Sequence, residues 1–217
     1  MTEIQSRWQQ LQQRLPAGVN LLAVSKMQPA SAVRELAACG QRDFGESRVQ
    51  EALPKQEALA DLSDLRWHFI GRLQANKVRS VVKAFSWIHS IDSLALAERS
   101  SRIALEEGRR PSVLFQVKLR PDPSKGGWDP QSLREAWPEL SQLPGLNVSG
   151  LMTMAPLGLD LHERQTLFRD CRNLVDELDL PQCSMGMSGD WPEAAAAGAT
   201  WVRVGSALFG VRPASPT

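Results

Sequence analysis

The 217-residue chain contains no tyrosine, so no reaction on it rests on a phenolic base. Cysteine is scarce too. Cys39, Cys171 and Cys183 are odd in number and far apart, which argues against a disulfide framework and leaves no CxxC metal site. No metal site is expected. Charge of one sign is not in excess: 25 basic residues face 24 acidic ones, for a formal net charge of +1. Nothing electrostatic therefore points to nucleic acid or an anionic membrane as partner. No apolar stretch approaches the roughly 20 residues of a membrane span. The opening MTEIQSRWQQLQQRL is patterned as an amphipathic helix, not as a basic segment followed by an apolar one. A cytoplasmic location is expected. No low-complexity segment or linker divides the chain, so one domain is expected over residues 1–217.

What the sequence does contain is alternation. Short apolar or β-branched runs lie at residues 20–26, 42–47, 67–71, 86–92, 112–119, 147–154, 183–188 and 201–206. Helical patterns fill the intervals. Asp160 with Glu163, and Asp190 with Glu193, have capping-box spacing. Asp129–Pro130 reads as an N-cap followed by proline at the first helical position. Gly40, Gly108 and Gly198 stand where helices should stop. Eight strands alternating with helices predict a parallel sheet closed into a single (β/α)8 TIM barrel. An open doubly wound sheet is the runner-up, but no GxGxxG follows the first strand. Residues 1–19 are expected to form an extra helix covering the bottom of the barrel.

In such a barrel the C-terminal strand ends form the active-site face. Those ends supply Lys26, Glu46 and Ser47, His68 to Arg72, His89 to Asp92, Met152 to Met154, Ser188, and Arg203 to Ser206. Lys26 fits a Schiff-base nucleophile whose pKa is lowered by desolvation at the barrel mouth. Taken alone, it reads first as an ordinary lysine that snorkels off a strand end into solvent, and its neighbours have to decide. The last two strands carry further signals. Gly189 after Ser188, and Gly205 with Ser206, make strand-to-helix turns that present N–H groups to an anion such as phosphate; the alternative is helix capping that needs no ligand. Arg203 alternates with Val202 and Val204, so its side chain should point into the barrel, where it needs a carboxylate or a ligand acceptor.

A Schiff-base lysine, a phosphate cradle and an inward arginine together describe a site for pyridoxal 5'-phosphate. Taken in order, AVSK, DFGESRVQE, WHFIGRLQANK, HSIDS, GLMTM, SMGMSGD and VRVGSALFG resemble the YggS/PROSC family of pyridoxal-phosphate homeostasis proteins. The resemblance spans roughly residues 20–211. It implies a fold-type III barrel like the N-terminal domain of alanine racemase, without a C-terminal β-domain. It also implies the cofactor on Lys26, its phosphate at Ser188, Gly205 and Ser206, and Arg203 facing the pyridine nitrogen. The sequence departs from the family at FGES, where Ser47 replaces an asparagine. It departs again at PDPSKGG, where Lys125 and Gly126 survive but the acidic residue shifts to Asp122, and no site role is assigned to that loop. His68 either lines the cofactor ring or is a strand histidine satisfied by backbone. Lys77 should lie in the first turn of a helix, against the dipole, and calls for an anion or carboxylate partner, although solvation alone would also suffice. His89 and Asp92 read as structural, and the seven tryptophans as packing residues.

The chemistry also narrows. Arginine cannot take a proton from the pyridine nitrogen and can only donate to it, which weakens the ring as an electron sink. A racemase of this fold uses a second base, a tyrosine, and this chain has none. The expected protein is a monomeric, non-catalytic carrier that buffers the cofactor and B6 vitamers and contacts acceptor apo-enzymes transiently. Two alternatives stand beside it. One is a weak racemase or lyase using Lys26 and His68 as bases. The other is a Schiff-base aldolase with Glu46 as acid/base, although Glu46 also suits a helix cap.

Overall fold

A computed structural model describes residues 1–210; residues 211–217 of the expected single domain lie outside the described residues. Eight strands form: β1 (Asn20–Val24), β2 (Asp43–Glu46), β3 (Arg66–Phe69), β4 (Trp87–Ile91), β5 (Ser112–Gln116), β6 (Asn147–Met152), β7 (Gln182–Ser184) and β8 (Trp201–Val204). Each lies parallel to its neighbours in chain order, and β8 closes onto β1 from Asn20↔Trp201 to Ala23↔Val204. This is the expected (β/α)8 barrel. The crossovers are α2 (Ala30–Ala38), α3 (Val49–Ala58), α4 (Val78–Ala84), α5 (Leu94–Glu106), α6 (Pro130–Leu140), α7 (Leu161–Glu177) and α8 (Trp191–Ala196), preceded by α1 (Glu3–Arg14) and followed by the single turn α9 (Ser206–Phe209).

Local chemistry sets most helix bounds. Asp160 and Glu163 close a reciprocal capping box on α7, and the Asp129 carboxylate accepts from the N–H groups of Gln131 and Ser132 ahead of Pro130. Gly40 (φ +103°) and Gly198 (φ +90°) close α2 and α8 in the left-handed region. Asp190 departs from its expected role. Its side chain turns back to the Met187 N–H at 2.6 Å and caps nothing in α8.

The position of α1 also differs from expectation. It lies on the outer flank against α2 and α9, where Ile4, Trp8 and Leu15 join the core and Leu11 is buried. Among the described residues the eighth unit supplies four helical residues, and α1 packs beside them. Trp8 reaches toward the start of β2, donating to Gln41 at 3.0 Å.

The period-2 alternation of each strand sorts side chains into two layers. Outward residues such as Ala23, Phe44, Phe69, Ile88, Phe115, Leu151 and Val202 build the main core between sheet and helices. Leu22, Val24, His68, His89, Leu114, Met152, Trp201 and Arg203 have the opposite parity and fill the barrel itself, where all are buried. The three described C-terminal strand-end features of interest, after β1, β7 and β8, thereby meet at one mouth.

Candidate functional site

A cavity of about 280 Å³ opens at that mouth, and Lys26, Ser188, Arg203, Gly205 and Ser206 all line it. Val24, Ile70, Met152, Met154 and Met187 supply its apolar wall. Its size is at the small end of ligand pockets, which run from roughly 300 Å³ upward. A larger, more open cleft of about 710 Å³ lies between the loop after β3 and α5 and contains none of these five residues.

Lys26 is inward by parity with Leu22 and Val24, and the residues on both sides of it are tied to α3. Ser25 donates its hydroxyl to Glu46 Oε1 at 2.7 Å and accepts at its carbonyl from Lys55 Nζ at 2.8 Å. The N–H of Met27, which sits in the left-handed region at φ +62°, donates to Glu51 Oε1. Lys55 Nζ bridges Glu46 Oε1 at 2.6 Å and Glu51 Oε1 at 3.1 Å. This buried cluster holds a strained, non-glycine turn in place and with it the root of the Lys26 side chain. Burial pushes the Glu46 carboxyl above the usual range, against the pull of Lys55 and Ser25, and its Oε2 has no hydrogen-bond partner among the described residues.

Arg203 points into the barrel and is 4 % exposed. It donates from Nη1 to Ser184 Oγ and from Nη2 to the Thr153 carbonyl, each at 2.8 Å. Burial lowers its pKa to about 10, which leaves it charged at neutral pH. Of the two partners expected for a buried arginine, a carboxylate or a ligand acceptor, no carboxylate is bonded to it among the described residues; Asp190 acts on it through its field.

The opposite side of the cavity is built from backbone donors. Ser188 Oγ accepts from the N–H groups of Gly205 at 3.3 Å and Ala207 at 3.4 Å, which joins the turn after β7 to the start of α9. Gly205 leaves space there: an added Cβ would meet the Val24 carbonyl oxygen at 3.4 Å. Ser206 is exposed at the rim.

Other expected residues fall elsewhere. Ser47 is half-buried behind the mouth and does not line the cavity. Its backbone fits so closely against Gly71 that a Cβ on Gly71 would overlap the Ser47 carbonyl. His68 also does not line the cavity. It is fully buried in the barrel, where Nε2 meets Asp43 Oδ1 and Nδ1 meets His89 Nε2, each at 3.0 Å. Its partners are side chains rather than the expected ligand or backbone group. Glu46 faces outward to Lys55 and caps no helix. Lys77 ends a 3-10 turn and occupies the N-cap position of α4, with no ion pair or hydrogen bond from its side chain among the described residues. The expected anionic partner is therefore not provided by this part of the chain. Reading strand parity alone could have found the inward pair His68 and His89; the pairing of Glu46 with Lys55 has a weaker signal, since it crosses from strand to helix.

The family profile described as "Alanine racemase, N-terminal domain" matches residues 1–213. The chain is 50% identical over 204 residues to a pyridoxal phosphate homeostasis protein of Synechocystis, covering 91% of this chain and 94% of that one. It is 46% identical over 202 residues to the protein of that name from Pseudomonas aeruginosa, covering 92% and 87%. Among solved structures it is similar to PipY of Synechococcus elongatus with PLP bound, at 54% identity and a TM-score of 0.93, covering 96% of this chain and all (100%) of that one. Alanine racemase of Bartonella henselae shares the fold at 17% identity and a TM-score of 0.80; the match covers 99% of this chain and 60% of the racemase.

Proposed function

The chain belongs to the alanine racemase N-terminal domain family and, within it, to the pyridoxal phosphate homeostasis proteins, and on that premise we propose that it binds pyridoxal 5'-phosphate and carries it without catalysing turnover. The observation that bears most weight is the convergence of Lys26, Arg203, Ser188, Gly205 and Ser206 on one small cavity. The donor set suits each part of the cofactor. Lys26 offers an amine for the aldehyde, to be held as a Schiff base with the aldehyde oxygen leaving as water. Ser188 and Ser206 offer hydroxyl donors on the phosphate side, and Gly205, whose own N–H is held by Ser188 Oγ, leaves the room for the group to approach. Arg203 offers a fixed guanidinium to the ring nitrogen.

When bound, the cofactor supplies an electrophilic carbon and, if its ring nitrogen is protonated, an electron sink. Arg203 holds its own proton and only donates, so it favours the unprotonated nitrogen and disfavours the sink. The chain also lacks the tyrosine base of a racemase. His68 is a poor substitute, enclosed between Asp43 and His89 away from the cavity. The aldolase reading loses its carboxylate, since Glu46 faces α3. Carriage is the remaining role: a cytoplasmic buffer that exchanges cofactor with acceptor apo-enzymes through an open mouth. The test is transfer of cofactor from the loaded protein to an apo-enzyme, with amino-acid turnover measured in parallel. Transfer without turnover above that of free cofactor supports carriage; turnover that disappears in Lys26→Ala contradicts it.

A further inference from the structure

We propose that Asp43, His68, His89 and Ser184 are positioning residues for Arg203, acting through one hydrogen-bond chain of fixed direction across the barrel interior. The proposal rests on the reading of Arg203 as the ring-nitrogen partner. The links are continuous. Arg66 grips Asp43 from Nε to Oδ1 at 2.6 Å and from Nη2 to Oδ2 at 2.5 Å. Asp43 Oδ1 meets His68 Nε2 at 3.0 Å, His68 Nδ1 meets His89 Nε2 at 3.0 Å, and His89 Nδ1 meets Ser184 Oγ at 3.1 Å. Ser184 Oγ then accepts from Arg203 Nη1 at 2.8 Å.

The two ends set the direction. An ionised carboxylate only accepts and a guanidinium only donates, while a neutral imidazole has one donor and one acceptor nitrogen. Asp43 therefore requires the proton of His68 on Nε2. His68 Nδ1 must then accept, so His89 donates from Nε2 and accepts at Nδ1. Ser184 fills that acceptor with its hydroxyl proton, and its oxygen takes the Arg203 N–H. Every bond points from Arg203 toward Asp43, an arrangement in which successive bonds polarise one another. The reversed chain would put Nδ1–H on His89 and a second proton on His68. Burial opposes that, pushing both imidazoles below their ordinary value, His89 far below. Asp43 meanwhile stays ionised: burial alone would raise its carboxyl, but the bonds from Arg66 and His68 hold it below the usual range.

The chain is not a proton relay, because Arg203 gives up no proton. Its effect is mechanical and electrostatic. With Thr153 it holds two guanidinium N–H groups and orients the others, and it ties the cofactor side of the barrel to an anion near the strand starts. Trp87 stacks on His68 at 5.4 Å with 3° between planes, and Trp201 leans on the same ring at 5.1 Å, so the relay of orientations has rigid walls.

The test begins with NMR of the histidine ring nitrogens in the full chain carrying His162→Gln, which removes the exposed third ring. Protons on Nε2 of both buried rings at neutral pH are expected. A doubly protonated His68, or Nδ1–H on His89, overturns the proposal. In a second arm, Ser184→Ala and Asp43→Asn are titrated with pyridoxal 5'-phosphate while their melting temperatures are followed. Removing a bond to a charged group predicts about tenfold weaker binding in Ser184→Ala, with a displaced absorption band and the fold retained. Unchanged affinity and band in both variants overturn the proposal. Absence of any band in the unsubstituted protein would instead defeat the cofactor reading, and the ring-nitrogen result would still report on the chain.

Discussion

Lys55 Nζ lies 2.8 Å from the carbonyl oxygen of Ser25, so an ammonium on α3 anchors the residue immediately before Lys26. The same nitrogen neutralises Glu46, whose carboxylate is otherwise buried. Removing one member of such a pair leaves an uncompensated charge. Lys55→Met should therefore destabilise the fold by about 3–5 kcal/mol in urea titration, whereas adding Glu46→Leu should recover much of the loss. A single substitution costing under about 1 kcal/mol would mean the pair is solvated and does not clamp the turn.

Acid should weaken the fold in a definite window. His68 and His89 are held neutral below the ordinary histidine value of about 6.5, so the unfolded chain binds protons that the folded one refuses. Stability is fully present above that value and falls as pH drops, by up to about 1.4 kcal/mol per pH unit for each ring. Asp43 adds a loss of the same sign at lower pH, as its depressed carboxyl is finally protonated. Urea midpoints measured from about pH 7.5 to about pH 5.5 should decline steadily; a flat profile would show that the buried rings accept protons in place.

Gly71 tests the contact between the second and third strand ends. Alanine there would place Cβ into the Ser47 carbonyl, backbone against backbone, so Gly71→Ala should cost about 1–3 kcal/mol and weaken ligand binding at the adjoining mouth. Thermal melts and a ligand titration check both. Wild-type values in the two assays would mean the loop yields without disturbing the site.

The barrel was legible because its signals are local: eight apolar runs, their spacing, and caps such as Asp129 and Asp160. The inward course of Arg203 followed from its parity with Val202 and Val204. The same parity argument reaches His68 and His89, but their partners depend on register across three strands, which composition does not disclose. The Lys55 clamp and the Met27 turn were hidden for a similar reason, since each needs a helix face aligned with a strand end. The flank position of α1 was missed because it is set by packing against α2 and α9, elements distant from it in sequence. Asp190 shows that capping-box spacing is insufficient when a nearer N–H, that of Met187, competes for the carboxylate.

Ser188 separates the phosphate side from the aldehyde side. Its oxygen organises the N–H groups of Gly205 and Ala207, so Ser188→Ala should lower affinity for pyridoxal 5'-phosphate about tenfold and leave affinity for unphosphorylated pyridoxal nearly unchanged. Equal losses for the two ligands would move the phosphate away from this turn.

The most direct measurement is the visible spectrum of the purified protein with added pyridoxal 5'-phosphate, before and after borohydride, beside Lys26→Ala. An imine band that borohydride removes, leaving the reduced cofactor on the peptide containing Lys26, is the predicted result, with no such adduct in the variant. A protein that stays colourless, or a variant that forms the same band and adduct, would contradict the assignment of Lys26 as the cofactor's anchor.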